Sequence, residues 1–489
     1  MRRLALAIWF VGLVPAAGRG ALATPSAHQV VTALSQLGPR PDGSPAQRQA
    51  VGLLLDAMRQ AGLRDVREVR LAPLFRGELS QTALEGALPG ATDQEIVLTG
   101  HYDTVARSPG ADDDGSGCAV AIAAAADLAR TPQRHTVRVV LFNGEERGLL
   151  GSRAWVDALD AAHSHRILAD LNLEMLGWAG SPGPTLHATP LWRRTDRRPQ
   201  GDRKAGELVS PPGWLVHALL RGGEAVGWPL AMSDPRFPTL MQLVLRSVRV
   251  RFGDDSQSFL AVGIPAASVS DSSLLSLDPA YHKPADVAAR LDPHRMEQWT
   301  TAVAAIVRRL DRLAGPPIAE DQYLVLGGRV WQRRDILLVG FVLWAALVFR
   351  GIPGRWRGAS AEERLRQRRR YMPGFVFRIL LLGALFAAPV LSVLVLPAAA
   401  LALVPPRRGG LRLPWILLGL LPFGAYTFGL VGGVFAGVVN PFGGFQGGWA
   451  SLLLILGTLL AYVVMLAVTQ PSASSFSTSI ACSHSASVL

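Results

Sequence analysis

Apolar and polar positions alternate in several rhythms along this chain, and each rhythm predicts a different element. Val30, Val31, Leu34 and Leu37 recur at helical spacing, and GPRPDGSP then breaks the run. Val51, Leu54, Leu55 and Met58 line one face of a second helix, from Ala46 to about Ala61, with Gly62 as its stop. Val66 to Leu84 alternates in places and reads as strands. Glu95 to Val105 is nearly continuous in apolar residues, as a strand buried on both faces would be. Residues 117–130 (GCAVAIAAAADLAR) spell a small-residue helix suited to close packing on a sheet. Thr136 to Phe142 is another buried strand, Leu149 to Leu159 a helix and Ile167 to Leu173 a third strand. Residues 179–212, rich in Gly, Pro and Arg, read as loop. Helix from Trp214 to Val226, strand from Ala267 to Asp271 and an amphipathic helix from Met296 to Leu313 follow. The alternation predicts an α/β fold with a mixed, largely parallel twisted sheet flanked by helices.

Beyond this region the pattern changes. Four long apolar segments, about Ile336–Phe349, Ile379–Val404, Trp415–Val439 and Ala450–Val468, predict an all-α transmembrane region of about four helices over 336–469. Residues 1–23, with two early arginines, an apolar run from Leu4 to Val14 and Ala21-Leu22-Ala23, have the layout of a signal peptide. The expected organisation is thus a signal peptide (1–23), an α/β domain (24–318), a linker (319–335), the membrane region and a disordered Ser-rich tail (470–489).

Charge sharpens this picture. The net charge of +12 comes almost wholly from arginine, clustered beside apolar segments. Eight arginines between Arg350 and Arg370 face only Glu362 and Glu363, which by the positive-inside rule makes that loop cytoplasmic. A multi-pass membrane protein with its α/β domain periplasmic or extracellular is therefore expected, in contact with lipid and open to a membrane-protein partner. No nucleic-acid motif accompanies the positive charge, so nucleic acid is not an expected partner. Two cysteines, Cys118 and Cys482, exclude a disulfide framework and indicate no compartment.

The chemistry sits at strand ends. His101 and Asp103, two apart at the end of one strand, point the same way, so Asp103 can fix the imidazole tautomer. Asp112-Asp113-Asp114 lies in a Gly-rich turn before a helix, where it would also serve as a cap. Glu145 and Glu146 follow the next strand, and Glu174 interrupts ADLNLEMLGW, where an unpaired acid would be costly. His282 stands in YHKPAD. Singly, each has an ordinary structural reading. Jointly they occupy the carboxyl ends of apolar strands, where open α/β sheets place their sites. Asp113, Glu145, Glu146 and Glu174 would repel one another if gathered, and two divalent cations would balance them. Oxygen ligands with two histidines suit zinc, with cobalt or manganese as substitutes.

GHYDTV, PGADDDGSG, NGEERGLLGS, NLEMLGW and YHKPAD, in this order and spacing, resemble the co-catalytic di-zinc exopeptidases, metallopeptidase family twenty-eight, over roughly Val30 to Leu313. The family includes bacterial leucyl aminopeptidase, aminopeptidase Y, glutamate carboxypeptidase and the glutaminyl cyclases. The resemblance implies an aminopeptidase hydrolysing peptide substrates, and the apolar segments add the expectation that it is membrane-tethered. It implies one zinc on His101, Asp113 and Glu174 and a second on Asp113, Glu146 and His282. Glu145 would be the general base and Asp103 the partner of His101. One departure is visible: many relatives carry Asp-His where this chain has Asp255-Ser256. The competing expectations are another exopeptidase or glutaminyl cyclase, an inactive receptor-like protein on the same fold, and a transporter with an exported accessory domain.

Overall fold

The computed structural model describes residues 25–74, 81–188, 191–192, 208–236, 238–250, 253–273, 275–318, 322–350, 360–387, 391–403, 413–435, 439–445 and 448–468. The expected signal peptide and Ser-rich tail lie outside the described residues. Two capped helices open the fold: α1 (Ala27–Gln36), whose Ser26 and Gln29 form a capping box, and α2 (Pro45–Gln60), capped by Ser44 with Pro45 in its first turn. Then come β1 (Arg64–Leu71), β2 (Gln81–Leu88), β3 (Glu95–His101), α3 (Gly117–Leu128), β4 (Thr136–Phe142), α4 (Leu150–Ala158), α5 (Ala161–Arg166) and β5 (Ile167–Glu174). The chain continues through β6 (Thr185–His187), a small pair β7 (Leu191–Trp192) and β8 (Leu208–Val209), α6 (Gly213–Glu224), β9 (Ala231–Met232), α7 (Pro238–Ser247), β10 (Val248–Val250), α8 (Ser256–Val262), β11 (Ala266–Ser270) and α9 (Pro293–Leu310).

Eight strands form one sheet in the order β1-β2-β4-β3-β5-β11-β6-β9. The centre, β4-β3-β5-β11, is parallel, while β1, β2 and β6 join antiparallel. The central strands are buried on both faces, which is why their sequences are near-continuous apolar runs. One face packs on α1, α2, α3, α6 and α9 through Leu34, Leu54, Ile122, Leu219 and Trp299. The other holds Phe142, Trp155 and Phe259, with ring centroids 5.5–6.4 Å apart. Register sets the level of the site: His101 pairs with Phe142, Thr99 with Asn172, and Ser270 with Glu174, so β3, β4, β5 and β11 finish together. Gly117 lets α3 start hard against that edge, because a Cβ there would lie 2.3 Å from the Leu173 carbonyl.

Four expectations need correction. The strand expected over Glu95–Val105 ends at His101, where the chain leaves the sheet; Tyr102 still donates its N–H to Phe142 O at 2.8 Å. The expected loop at 179–212 contains β6, which pairs with β11. Residues 319–335 are not a bare linker. They hold a hairpin, β12 (Tyr323–Leu326) and β13 (Arg329–Gln332), whose first strand alternates between two cores. Tyr323 and Val325 enter the core of the sheet domain, and Leu324 enters the core of the helices that follow. Gln242 of α7 pins the hairpin by exchanging hydrogen bonds with Val325, at 2.8 and 3.0 Å.

The four expected spans are not found as such: no helix among the described residues is long and apolar enough to cross a membrane. The helices are α10 (Arg333–Arg350), α11 (Ala361–Ala387), α12 (Leu396–Leu403), α13 (Leu413–Phe435) and α14 (Gly448–Val468), with β14 (Val439–Phe445) paired to β10. The second expected segment is divided, its start fused to the arginine-rich α11 and its end forming α12, which at eight residues rises only ~12 Å. The described side chains of α13 and α14 cover less than the ~20 residues a span needs. These helices share a core of their own, including Phe377, Leu381, Leu385 and Tyr462. They also turn large apolar side chains outward: Leu338 and Leu421 are 66% exposed and Leu453 and Leu460 65%.

Candidate metal centre

The level ends of β3, β4 and β5, with the turn that carries His282, bring the singled-out residues together. His101 closes β3 and is fully buried. Its Nε2 lies 3.3 Å from Asp113 Oδ1 and 3.4 Å from Glu174 Oε1. On the other side of Asp113, His282 Nε2 lies 3.2 Å from Oδ2 and 3.0 Å from Glu146 Oε2. His101, Asp113 and Glu174 thus offer one set of ligand atoms, and Asp113, Glu146 and His282 another, the atoms of each set within 4.8 Å of one another. Asp113 turns one oxygen to each set. Glu145 belongs to neither; its Oε2 stands 3.8 Å from His101 Nε2.

The fit to cations rests on atoms that face one another without bonding. Neither His101 Nε2 nor Asp113 Oδ2 has a hydrogen-bond partner, although both are buried. His101 Nδ1 lies 3.2 Å from the backbone carbonyl of Asp103, which fixes the tautomer with the proton on Nδ1. Nε2 then presents a lone pair to carboxylate oxygens, a repulsive arrangement unless a cation lies between them. Asp103 does more than face the imidazole. Its carboxylate is 3.5 Å from the His101 ring, and its two oxygens also accept from the backbone N–H groups of Glu145 and Glu146, at 3.2 and 3.4 Å. It therefore locks the glutamate turn to the histidine strand.

The three consecutive aspartates divide their labour, and the peptide joining Asp113 to Asp114 is cis. Asp114 accepts from the N–H groups of His101, Gly117 and Met175, tying β3, α3 and the end of β5 together. Asp112 accepts from Gly177 N–H at 3.1 Å. Only Asp113 faces both histidines. His282 is held with φ +58, a conformation that costs a non-glycine residue energy, and its ring stacks on Tyr281 at 3.8 Å.

Electrostatically the cage is short of positive charge. Burial, reinforced by the charge of Glu174, holds the Glu145 carboxyl well above the usual range, and burial also raises Glu174. Against its own burial, Asp113 is drawn down to about 2 by the two imidazoles that face it, His101 and His282. Asp113 and Glu146 in turn push His282 up to about 9, despite the opposing effect of burial.

Two supporting residues, Asp286 and Arg40, escaped the sequence reading. Asp286 accepts from Asp112 N–H at 2.7 Å and Asp113 N–H at 3.2 Å, holding the aspartate turn from below. It lies four residues after His282 in the same YHKPAD, so the motif carried the signal. Arg40, in the supposed helix break GPRPDGSP, is fully buried and donates to the carbonyls of Leu34, Tyr102, Pro109 and Gly110. Asp255, the acid of the Asp255-Ser256 departure, is fully buried, and burial pushes its carboxyl up to about 8. Asp286→Ala, by freeing the Asp113 backbone, is expected to weaken metal binding about 10–100-fold, measured by competition with a chromogenic chelator.

Comparison with known proteins gives the same direction. A family model described as Peptidase family M28 matches residues 84–198, which contain His101, Asp103, Asp113, Glu145, Glu146 and Glu174. Aminopeptidase YwaD of Bacillus subtilis is 28% identical over 212 residues, 43% of this chain and 40% of that protein. Probable leucine aminopeptidase 2 of Aspergillus fumigatus is 37% identical over 124 residues, 25% of this chain and 22% of that protein. The chain thus spans less than half the length of these curated relatives. Among solved structures, a zinc aminopeptidase from Bacillus subtilis aligns over 57% of this chain and 93% of its own at 18% identity, with a TM-score of 0.45. A glutaminyl cyclase from Porphyromonas gingivalis aligns over 60% of this chain and 99% of its own at 19% identity, with a TM-score of 0.44.

Proposed function

We propose that the chain is a zinc-dependent exopeptidase, an aminopeptidase that removes N-terminal residues from peptides using two ions. The observation that carries this reading is the pair of three-ligand sets sharing Asp113, with the Glu145 carboxylate 3.8 Å from His101 and part of neither set. Bound there, the ions would supply Lewis-acid activation of a carbonyl and of a water. Glu145, held by Asp103 through its backbone, would take a proton from the attacking water and return one to the departing amine. His101 and His282 keep their orientation through Asp103 and Tyr281. The side-chain exposure of His282, 28% against 0% for His101, marks the side from which a peptide end enters. The matching relatives named as aminopeptidases support amino-terminal cleavage. A cyclase or receptor-like role is less well supported, because both ligand sets are complete and Glu145 is in place.

The second part of the proposal concerns location. The long apolar segments of the sequence and the outward-facing Leu338, Leu421, Leu453 and Leu460 support seating of the C-terminal helices in a lipid layer. The sheet domain would then work as a tethered enzyme outside the cytoplasm.

The test is metal analysis of the purified full chain together with panels of aminoacyl and carboxy-terminal chromogenic substrates. Two zinc ions per chain and cleavage of the aminoacyl panel alone are expected. A zinc-loaded protein that cleaves neither panel would sink the hydrolase reading.

A further inference from the structure

A second depression, on the far end of the sheet domain, carries chemistry that the peptidase reading does not use. It is a cleft of about 560 Å³ between α6, the end of α9, the β12–β13 hairpin and the start of α10. Arg309, Arg312 and Arg334 line it with His217, Trp214 and Gln332. The neighbouring Arg308 is paired, 2.7 Å from Asp127, whereas Arg309 and Arg312 have no acidic partner among the described residues. The acid in the lining, Asp335, accepts from the Gln332 backbone at 2.9 Å and lies 3.9 Å from Arg334. Trp214 Nε1 and Gln332 Oε1 are buried with no hydrogen-bond partner. Partial burial, with the charges of Arg309 and Arg221, lowers the pKa of His217, as an unneutralised positive field would. A cleft of unpaired guanidiniums and a free indole donor suits a phosphate-type anion.

Its position names the source. Arg334 stands in the first turn of α10, and the exposed apolar stripe of that helix begins one turn later with Leu338, 66% exposed, and Val342, 60% exposed. Four residues of helix rise ~6 Å, about the step from a headgroup to the acyl region. Trp214 lines the cleft and the half-buried Trp331 precedes its lining residue Gln332 on β13, and amphipathic indoles of this kind settle at a lipid interface.

We propose that this cleft binds the phosphate of an anionic phospholipid headgroup and so fixes the sheet domain against the membrane. The proposal rests on the reading that the C-terminal helices sit in lipid. It is tested on the full chain in neutral detergent micelles titrated with phosphatidylglycerol, following the denaturation temperature. Arg309→Gln with Arg312→Gln is expected to raise the half-saturating amount about 25-fold, about fivefold per arginine. Arg64→Gln with Arg70→Gln, exposed on the distant edge strand β1, is expected to leave it unchanged. Phosphatidylcholine and millimolar inorganic phosphate should give no shift. An undiminished response in the cleft variant would overturn the site, and an equal response to inorganic phosphate would overturn the lipid source. Flotation with neutral phosphatidylcholine vesicles separates the premise: wild type and the cleft variant should float alike. A chain that fails to float removes the lipid seating and the headgroup together, whereas floating without a phosphatidylglycerol response removes the headgroup alone.

Discussion

Glu145→Gln is expected to lower kcat by about 10²–10⁴-fold while leaving the full complement of zinc bound. The separation follows from geometry. The two ligand sets are complete without Glu145, whose carboxylate stands 3.8 Å from His101 Nε2 and whose backbone is held by Asp103. Glutamine keeps the shape and can still accept a hydrogen bond, but it cannot take up a proton at neutral pH. Burial and the charge of Glu174 hold the Glu145 proton tightly when only protein groups surround it, and two cations would reverse that balance. The measurement is turnover on an aminoacyl substrate beside metal content from the same preparation. Zinc loss in this variant would make Glu145 a ligand, and full turnover would move the base elsewhere.

The parallel centre of the sheet was legible because burial on both faces leaves a simple signature. Thr136–Phe142 is found with the expected bounds, and Ile167–Leu173 is extended by one residue, Glu174. The site residues were legible because acids and histidines interrupt apolar strands only where something compensates them. What escaped was support made by backbone hydrogen bonds. Arg40 acts on peptide carbonyl groups, which leave no trace in a side-chain pattern, whereas Asp286, which acts on peptide N–H groups, was at least marked by its place in YHKPAD. The second role of Asp103 escaped for the same reason: besides facing the imidazole, its carboxylate accepts from the Glu145–Glu146 backbone. The hairpin at 323–332 was hidden because its alternation serves two different cores, so neither face reads as polar. In the apolar tail, Ile379–Val404 has the extent of a span, and its described residues are divided between two helices and a 3₁₀ turn.

Zinc is expected to stabilise the wild-type chain strongly and the Asp113→Ala variant hardly at all. The cage gathers four carboxylates whose lone pairs face one another and the imidazole nitrogens, so the sheet edge is held together at an electrostatic cost. Ligands that bind the folded state alone add about 4 kcal/mol at a thousandfold excess over Kd, about 8–16 °C in denaturation temperature for a unit of 150–250 residues. Asp113 is the one side chain common to both ligand sets, so its loss removes both contributions together. His101 and His282 each serve one set. His101→Ala and His282→Ala are therefore each expected to retain a single zinc and part of the stabilisation, giving stoichiometries of about two, one, one and none across the series. Thermal denaturation with and without a chelator, run alongside metal analysis, reads both quantities. If Asp113→Ala still bound one ion tightly, the two sets would be independent sites and the shared-carboxylate centre would have to be given up.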